Sequence, residues 1–214
     1  MTEHFELTKA FIKPQPTDIW GLKFFPNLEP DLENDRDMPY PDWLGCEEVT
    51  ECNLETMRML MVELGNSCQA ILEIGVNRND DRSMSQILMN EKPSTCIYIG
   101  VDLNDKSYLN NSDMNIHTIQ ANSHEQENIR SFMVKNNVSK LDLIFIDGWH
   151  SVNTTVNDWK YADLLSDYGI VAIHDSNTHP GDIALYEAVD EELFDKQRYC
   201  LGYDSGIAVF RRKH

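Results

Sequence analysis

Five short apolar runs recur along the chain, at 70–74, 96–101, 116–119, 141–146 and 170–173. Most lack polar alternation, which is the pattern of strands buried on both faces. Stretches with helical periodicity lie between several of them, at 83–90, 124–136 and 152–166. Another helix is expected before the first run, where Leu54, Met57, Leu60, Met61 and Leu64 recur at three- and four-residue spacing. Thr50 can cap it, with Asn53 an alternative start, and Gly65-Asn66 stops it. Strands alternating with helices predict an α/β domain of the Rossmann-like, doubly wound kind, with helices on both faces of a mostly parallel sheet. The end of the chain differs. Residues 199–203 and 207–210 are strand-like and flank Asp204-Ser205-Gly206, a hairpin signal, so the last of seven strands should run antiparallel.

Residues 1–45 follow another pattern. Prolines at 14, 16, 26, 30, 39 and 41 are interleaved with Trp20, Phe24, Phe25, Tyr40 and Trp43. So many prolines exclude a long helix or central strand, and the aromatics argue against disorder. The expectation is an N-terminal arm, 1–45, ahead of a domain over 46–214. The arm would pack on that domain or on a neighbouring subunit of a homo-oligomer, and in the sharper form would act as a lid over the active site.

Composition narrows the partners. With 18 basic and 36 acidic side chains in 214 residues, the formal charge is −18. Such a surface repels phosphate backbones, and the short basic tail Arg211-Arg212-Lys213 makes no patch, so nucleic acid is not expected as a partner. Five scattered cysteines (46, 52, 68, 96 and 200), with no CxxC pair, suggest a reduced intracellular protein in which Cys68, Cys96 and Cys200 are small core residues. No run approaches the roughly 18 apolar residues of a membrane span, and the N-terminus has no signal-peptide character. The reading is soluble and cytoplasmic, with no membrane partner.

Candidate chemistry sits at the strand ends, because ligands of open parallel sheets bind beyond the carboxyl ends near the switch in strand order. The first run ends in Glu73-Ile74-Gly75, where Gly75 permits a tight turn and close approach of a ligand. The later glycines of a dinucleotide fingerprint are replaced by Asn77, Asn79 and Asp80, which suits a pyrophosphate poorly. The second ends in Asp102, which can accept hydrogen bonds from a ribose diol or cap a turn. After the third, Asn122 and Ser123 can reach an adenine edge, or Ser123 can simply cap the next helix with Gln126 at a capping-box position. The fourth and fifth end in Asp147-Gly148-Trp149-His150 and His174-Asp175. Were those strands adjacent, at about 4.8 Å, Asp147, His174 and Asp175 would converge as ligands for Mg²⁺, Mn²⁺ or Fe²⁺. The bland alternative is loop-holding, turn-capping and a core histidine. Trp149 can line a pocket, whereas core packing suits Trp159 better.

The ordered set ILEIGVNR (71–78), YIGVDL (98–103), LIFIDGWHS (143–151) and GIVAIHD (169–175) resembles the class I S-adenosylmethionine-dependent methyltransferases. More narrowly, it is similar to the small-molecule O-methyltransferase group that includes metal-dependent macrocin-type sugar methyltransferases and cephalosporin-hydroxylase-like proteins. The resemblance covers roughly 50–212. It implies that Glu73 and Gly75 frame the methionine part of the cofactor and that Asp102 binds the ribose; Asn77, Asn122, Ser123 and Asp147 are the further candidate cofactor contacts. It also implies a divalent metal at Asp147 and Asp175, with His150 as base. The relatives end the fifth strand in Glu-Asp where this chain has His174-Asp175, and a histidine shifts preference from Mg²⁺ towards Mn²⁺, Fe²⁺ or Zn²⁺. The glycine-poor loop 76–82 is a second departure. The implied reaction is methyl transfer to a small-molecule hydroxyl, which the metal would acidify while His150 takes its proton. The loop 177–182 would meet substrate, with His179 a spare base or ligand. Rival readings are a non-catalytic relative acting as a binding or assembly protein, and an NAD-dependent oxidoreductase.

Overall fold

The computed structural model describes residues 12–13, 19–26, 49–76, 83–202 and 204–214. Strands β1 (Ile12–Lys13) and β2 (Phe25–Pro26) form a small antiparallel pair of their own. The main sheet holds β3 (Ala70–Ile74), β4 (Ile97–Asp102), β5 (Ile116–Gln120), β6 (Leu141–Ile146), β7 (Leu165–His174), β8 (Phe194–Tyr199) and β9 (Ile207–Arg212). Its order is β5-β4-β3-β6-β7-β9-β8. The β3 to β7 pairs are parallel, and β9 runs antiparallel to both β7 and β8. The expected seven-stranded, doubly wound architecture is what forms.

The apolar runs explain the layers. Alternate residues point to opposite faces, so Leu72, Ile74, Ile99, Val101, Ile144 and Ile146 feed one core. Ile71, Tyr98, Leu143, Phe145 and Ile170 feed the other. Helices α1 (Glu51–Leu64) and α2 (Met84–Glu91) cover the second core. Helices α3 (Gln126–Lys135), α4 (Val152–Trp159) and α5 (Pro180–Ala188) cover the first. Thr50 is the N-cap of α1 and forms a capping box with Asn53, which settles the alternative start. Trp159 is fully buried, in keeping with the core packing expected of it.

Four expectations need correction. The predicted helix over 152–166 stops at Trp159 and tightens into a 3₁₀ turn through Leu164, because buried Leu165 already pairs with Leu141 in the sheet. The penultimate strand is Phe194–Tyr199 rather than 199–203. Cys200 leaves the sheet with φ +57 and joins Cys52 of α1 in a disulfide. That bond corrects the reading of Cys200 as a free core residue and of the cysteines as all reduced. Cys68 and Cys96 are buried free thiols, as expected. Finally, 180–188, expected to begin as loop, is α5, with Pro180 in the first turn where its missing N–H costs nothing.

Part of the arm is described. Trp20 packs edge-on against Phe194 at 5.2 Å, its carbonyl accepts from Trp159 Nε1 at 3.0 Å, and Leu22 bridges to Val189. Residues 19–26 thus lie against the end of α5 and strand β8. Apart from β1, the rest of 1–48, with the expectations of a lid and of a subunit interface, lies outside the described residues. Among the described residues, no helix is long and apolar enough to cross a membrane.

Candidate functional site

The strand order reverses at β3, whose neighbours are β4 and β6. The carboxyl ends of these three strands are stitched together. Gly75 donates to the Val101 carbonyl at 2.9 Å, and Asp147 donates to the Ile74 carbonyl at 2.8 Å. Gly75 has φ +84, and a Cβ there would sit 2.0 Å from the Asp147 carbonyl oxygen. The close approach that requires glycine is therefore made by the β6 backbone; the sequence alone had suggested a ligand.

Asp102 ends β4 with its carboxylate turned over this junction. Oδ2 accepts from Val76 N at 3.0 Å and Oδ1 from Asn104 N at 2.7 Å, with Lys106 Nζ 3.8 Å from Oδ2. Each oxygen keeps a second lone pair. Glu73 points the other way. It is fully buried, and its two oxygens accept from Ser85 Oγ and Tyr98 Oη. Burial, reinforced by the charges of Asp147 and Asp102, pushes its carboxyl up to about 8 against the pull of those two hydrogen bonds. Asn122 makes an Asx turn, accepting from His124 N at 3.0 Å. Ser123 does not cap α3, whose N-cap is Glu125; instead its carbonyl accepts from Tyr161 Oη at 2.7 Å. Gln126, expected in a capping box, reaches the Asn157 carbonyl. Asn77 lies outside the described residues.

Strands β6 and β7 are neighbours, and Ile146 pairs with Ile173. That register brings Asp147, His174 and Asp175 together, with ligand atoms all within 4.8 Å of one another. His174 Nδ1 lies 3.0 Å from Asp147 Oδ1 and 3.5 Å from Asp175 Oδ1. Its other nitrogen, Nε2, meets Ser205 Oγ at 2.9 Å. His150 joins them with Nε2 3.0 Å from Asp175 Oδ2 and Nδ1 2.8 Å from Asp182 Oδ2. His179 Nε2 is 3.7 Å from the same Asp175 oxygen. Trp149 is 46% exposed beside this edge. Ser205 and Asp182 were not singled out as partners in the sequence. The only trace of Asp182 was its place three residues after His179, in what proves to be the first turn of α5.

The charges of the cluster are coupled. Burial pulls both His174 and His150 down, yet Asp147 and Asp175 push His174 up to about 9, and Asp182 and Asp175 hold His150 well above the usual imidazole range. Burial opposes the charged form of Asp175 too, but the imidazoles of His174, His150 and His179 hold it well below the usual carboxylate range. Burial lifts Asp182 above that range, against His150. A cavity of about 460 Å³, lined by His124, Gln126, Asn157 and Lys160 among others, includes none of these residues.

The sequence matches no protein-family model and no curated protein. Solved structures do match. MycE methyltransferase from the mycinamycin biosynthetic pathway, in complex with Mg and SAH, aligns with a TM-score of 0.56 at 15% identity over 75% of this chain and 49% of that one. The chain thus spans about half the length of that protein. CalS11, a TDP-rhamnose 3'-O-methyltransferase of calicheamicin biosynthesis, aligns at 0.55 with 15% identity, over 74% of this chain and 78% of that one. The O-methyltransferase from Bacillus cereus in complex with SAH aligns at 0.53 with 15% identity, over 77% and 82%. The fold is that of these methyltransferases. At such identities the likeness speaks to the fold, and the chemistry has to come from the residues.

The donor set at the end of β6 and β7 fits a cation. The Ser205 hydroxyl has one proton; when it is given to Asp204 Oδ1 at 3.3 Å, Oγ is left to accept from His174 Nε2 at 2.9 Å. The Nδ1 lone pair of a neutral His174 then faces two carboxylates. Lone pair against carboxylate is repulsive, so this point of the methyltransferase fold calls for a positive charge, a proton or a metal ion.

Proposed function

We propose that the chain binds S-adenosylmethionine across the switch between β3 and β6 and transfers its methyl group to a hydroxyl of a small molecule, with a divalent cation at Asp147, His174 and Asp175. The observation that carries this reading is the joint placement of Asp102 and the Asp147–His174–Asp175 cluster around one strand-end junction. Solved structures of the same fold support it, since MycE is described with Mg and SAH, and one of its structures also with mycinamycin VI.

In this reading the Asp102 carboxylate accepts from the ribose hydroxyls with the lone pairs that the Val76 and Asn104 amides leave. The turn at Gly75 and the loop through Asn77 border the methionine part. Glu73 supports that turn from inside the sheet. Asn122 and Ser123 border the adenine. A bound cation supplies Lewis acidity that makes the acceptor hydroxyl easier to deprotonate. Asp147 and Asp175 neutralise its charge, and Ser205 keeps the His174 ring turned towards it. A cation there would oppose the carboxylate charge that keeps His150 protonated, and His150, once neutral, would take the hydroxyl proton at Nε2, with Asp182 steadying the opposite nitrogen. The methyl moves from sulfur to oxygen and S-adenosylhomocysteine leaves.

Calorimetry tests the class. Binding of S-adenosylmethionine that weakens at least tenfold in Asp102→Ala supports the reading. Binding of NAD instead would establish the oxidoreductase alternative. Cofactor binding with no methyl transfer to any panel of hydroxylated acceptors, with or without Mn²⁺, would favour a binding protein.

A further inference from the structure

We infer that Asp175 bridges a two-cation centre, the second ion being held by Asp175, His150 and His179. The carboxylate is two-sided. Oδ1 faces His174 Nδ1 at 3.5 Å, while Oδ2 faces His150 Nε2 at 3.0 Å and His179 Nε2 at 3.7 Å. The ligand atoms of the second set also lie within 4.8 Å of one another. Ligands about 2.1 Å from a common ion stand roughly 3 to 4 Å apart, so both sets close around an ion with small side-chain movements. The shared carboxylate suits two ions about 3.5–4 Å apart, the spacing of two-metal sites.

Orientation is the second argument. Metal-ligating histidines engage their other ring nitrogen with a carboxylate, carbonyl or similar partner, which fixes the tautomer. His150 does this with buried Asp182, whose Oδ2 is 2.8 Å from Nδ1. His174 does it with Ser205. Both imidazoles therefore aim a nitrogen at the same carboxylate from opposite sides. The backbone enforces this convergence. Asp175 has φ +56, and its carbonyl accepts from Thr178 N and His179 N, both at 3.0 Å, which folds His179 back over it. Gly181 N donates to the His150 carbonyl at 3.0 Å, and a Cβ at Gly181 would lie 2.3 Å from that oxygen. The loop after β6 is thus clamped to the start of α5, with the His150 and His179 rings 4.4 Å apart.

Among the described residues, the ion pairs of Asp147, Asp175 and Asp182 are all with histidines. Two imidazoles and one carboxylate select Mn²⁺, Fe²⁺, Co²⁺ or Zn²⁺ over Mg²⁺. The side chains of His150, Asp175 and His179 are 13%, 17% and 20% exposed, so an ion can reach them from solvent. The inference rests on the proposed function for the first ion, and it makes His150 a ligand in the fully loaded protein.

The test uses the full chain, stripped by chelation, with Mn²⁺ alone. Equilibrium dialysis should give two ions per chain, and electron paramagnetic resonance should show exchange coupling in place of the multiplet of isolated ions. Asp147→Asn and His179→Ala should each leave one ion and abolish the coupling. His179→Gln serves as a second variant should His179→Ala lose its native circular dichroism. One ion in the parent chain, or two in a folded His179 variant, overturns the inference and leaves the methyl-transfer reading standing. No ion overturns the inference and the metal part of that reading together, and cofactor calorimetry judges the remainder separately.

Discussion

Glu73 should make the fold less stable as pH rises, and Glu73→Gln should remove that dependence. In the folded chain the carboxyl is fully buried and keeps its proton up to about pH 8, whereas an ordinary glutamate releases it at 4.5. Between those values the folded state binds more protons than the unfolded state. Stability therefore falls as pH rises through the window. Each pH unit is worth about 1.4 kcal/mol, so the whole window removes about 5 kcal/mol. Glutamine preserves the shape: its carbonyl can accept from Tyr98 Oη and its amide can donate to Ser85 Oγ. Parent and variant should have similar unfolding free energies near pH 5. By pH 8 the variant should lead by several kcal/mol, or about 10 °C in Tm for a chain of this size. Urea unfolding at pH 5, 6.5 and 8 with the disulfide intact measures this. Parallel stability curves across that range would refute the reasoning, because they would mean that Glu73 ionises in the folded chain as it does in the unfolded one.

Other outcomes follow from single contacts. Gly75→Ala adds a Cβ 2.0 Å from the Asp147 carbonyl at φ +84; it should cost more than about 2 kcal/mol in thermal unfolding, and parent-like stability would mean the two strand ends do not meet. Ser205→Ala should weaken Mn²⁺ binding about 10- to 100-fold while leaving S-adenosylmethionine affinity unchanged, since Ser205 contacts the metal ligand and not the cofactor side of the junction. The Cys52–Cys200 bond spans 148 residues, so Cys52→Ser should lower unfolding free energy by about 2–5 kcal/mol under non-reducing conditions. Peptide mapping without reductant checks the bond itself; a cytoplasmic setting would keep both thiols reduced.

The parallel strands were readable because burial on both faces leaves an uninterrupted apolar run, and β3 and β6 fall where those runs lie. Strand β8 was not. Only Phe194 of its six residues is buried, so no apolar signal marks it, and its end is decided by Cys200 turning towards α1. Helix α5 was hidden by Pro180-Gly181, a pair that reads as loop. Gly181 is there for the contact with the His150 carbonyl, which only the folded chain reveals. Glu73 shows a different limit. Its place at a strand end was visible, but so was its two-residue spacing from Ile71, which puts both on the same inward face. Gly100 stands opposite Glu73 in the pairing and leaves the room that Tyr98 Oη fills.

The site divides along the same line. Asp147, His174 and Asp175 sit at the ends of two long apolar runs, so sequence could place them; Ser205 and Asp182 come from segments whose positions depend on the disulfide loop and on α5. Those two residues give meaning to the histidine at 174. A carboxylate in that position needs no orienting partner, because either oxygen can face an ion. An imidazole does, and Ser205 supplies it, at 2.9 Å from Nε2 and itself donating to Asp204. Asp204 is in turn anchored by Thr50 Oγ1 and by Asn53 Nδ2, the latter at 3.1 Å. The cap of α1 therefore reaches the candidate metal ligand through three contacts. Exchanging His174 for Glu would add a negative charge, leave Ser205 without its acceptor role, and shift selectivity back towards Mg²⁺. In competition dialysis His174→Glu should therefore raise the Mg²⁺-to-Mn²⁺ affinity ratio. An unchanged ratio would mean that residue 174 does not touch the ion.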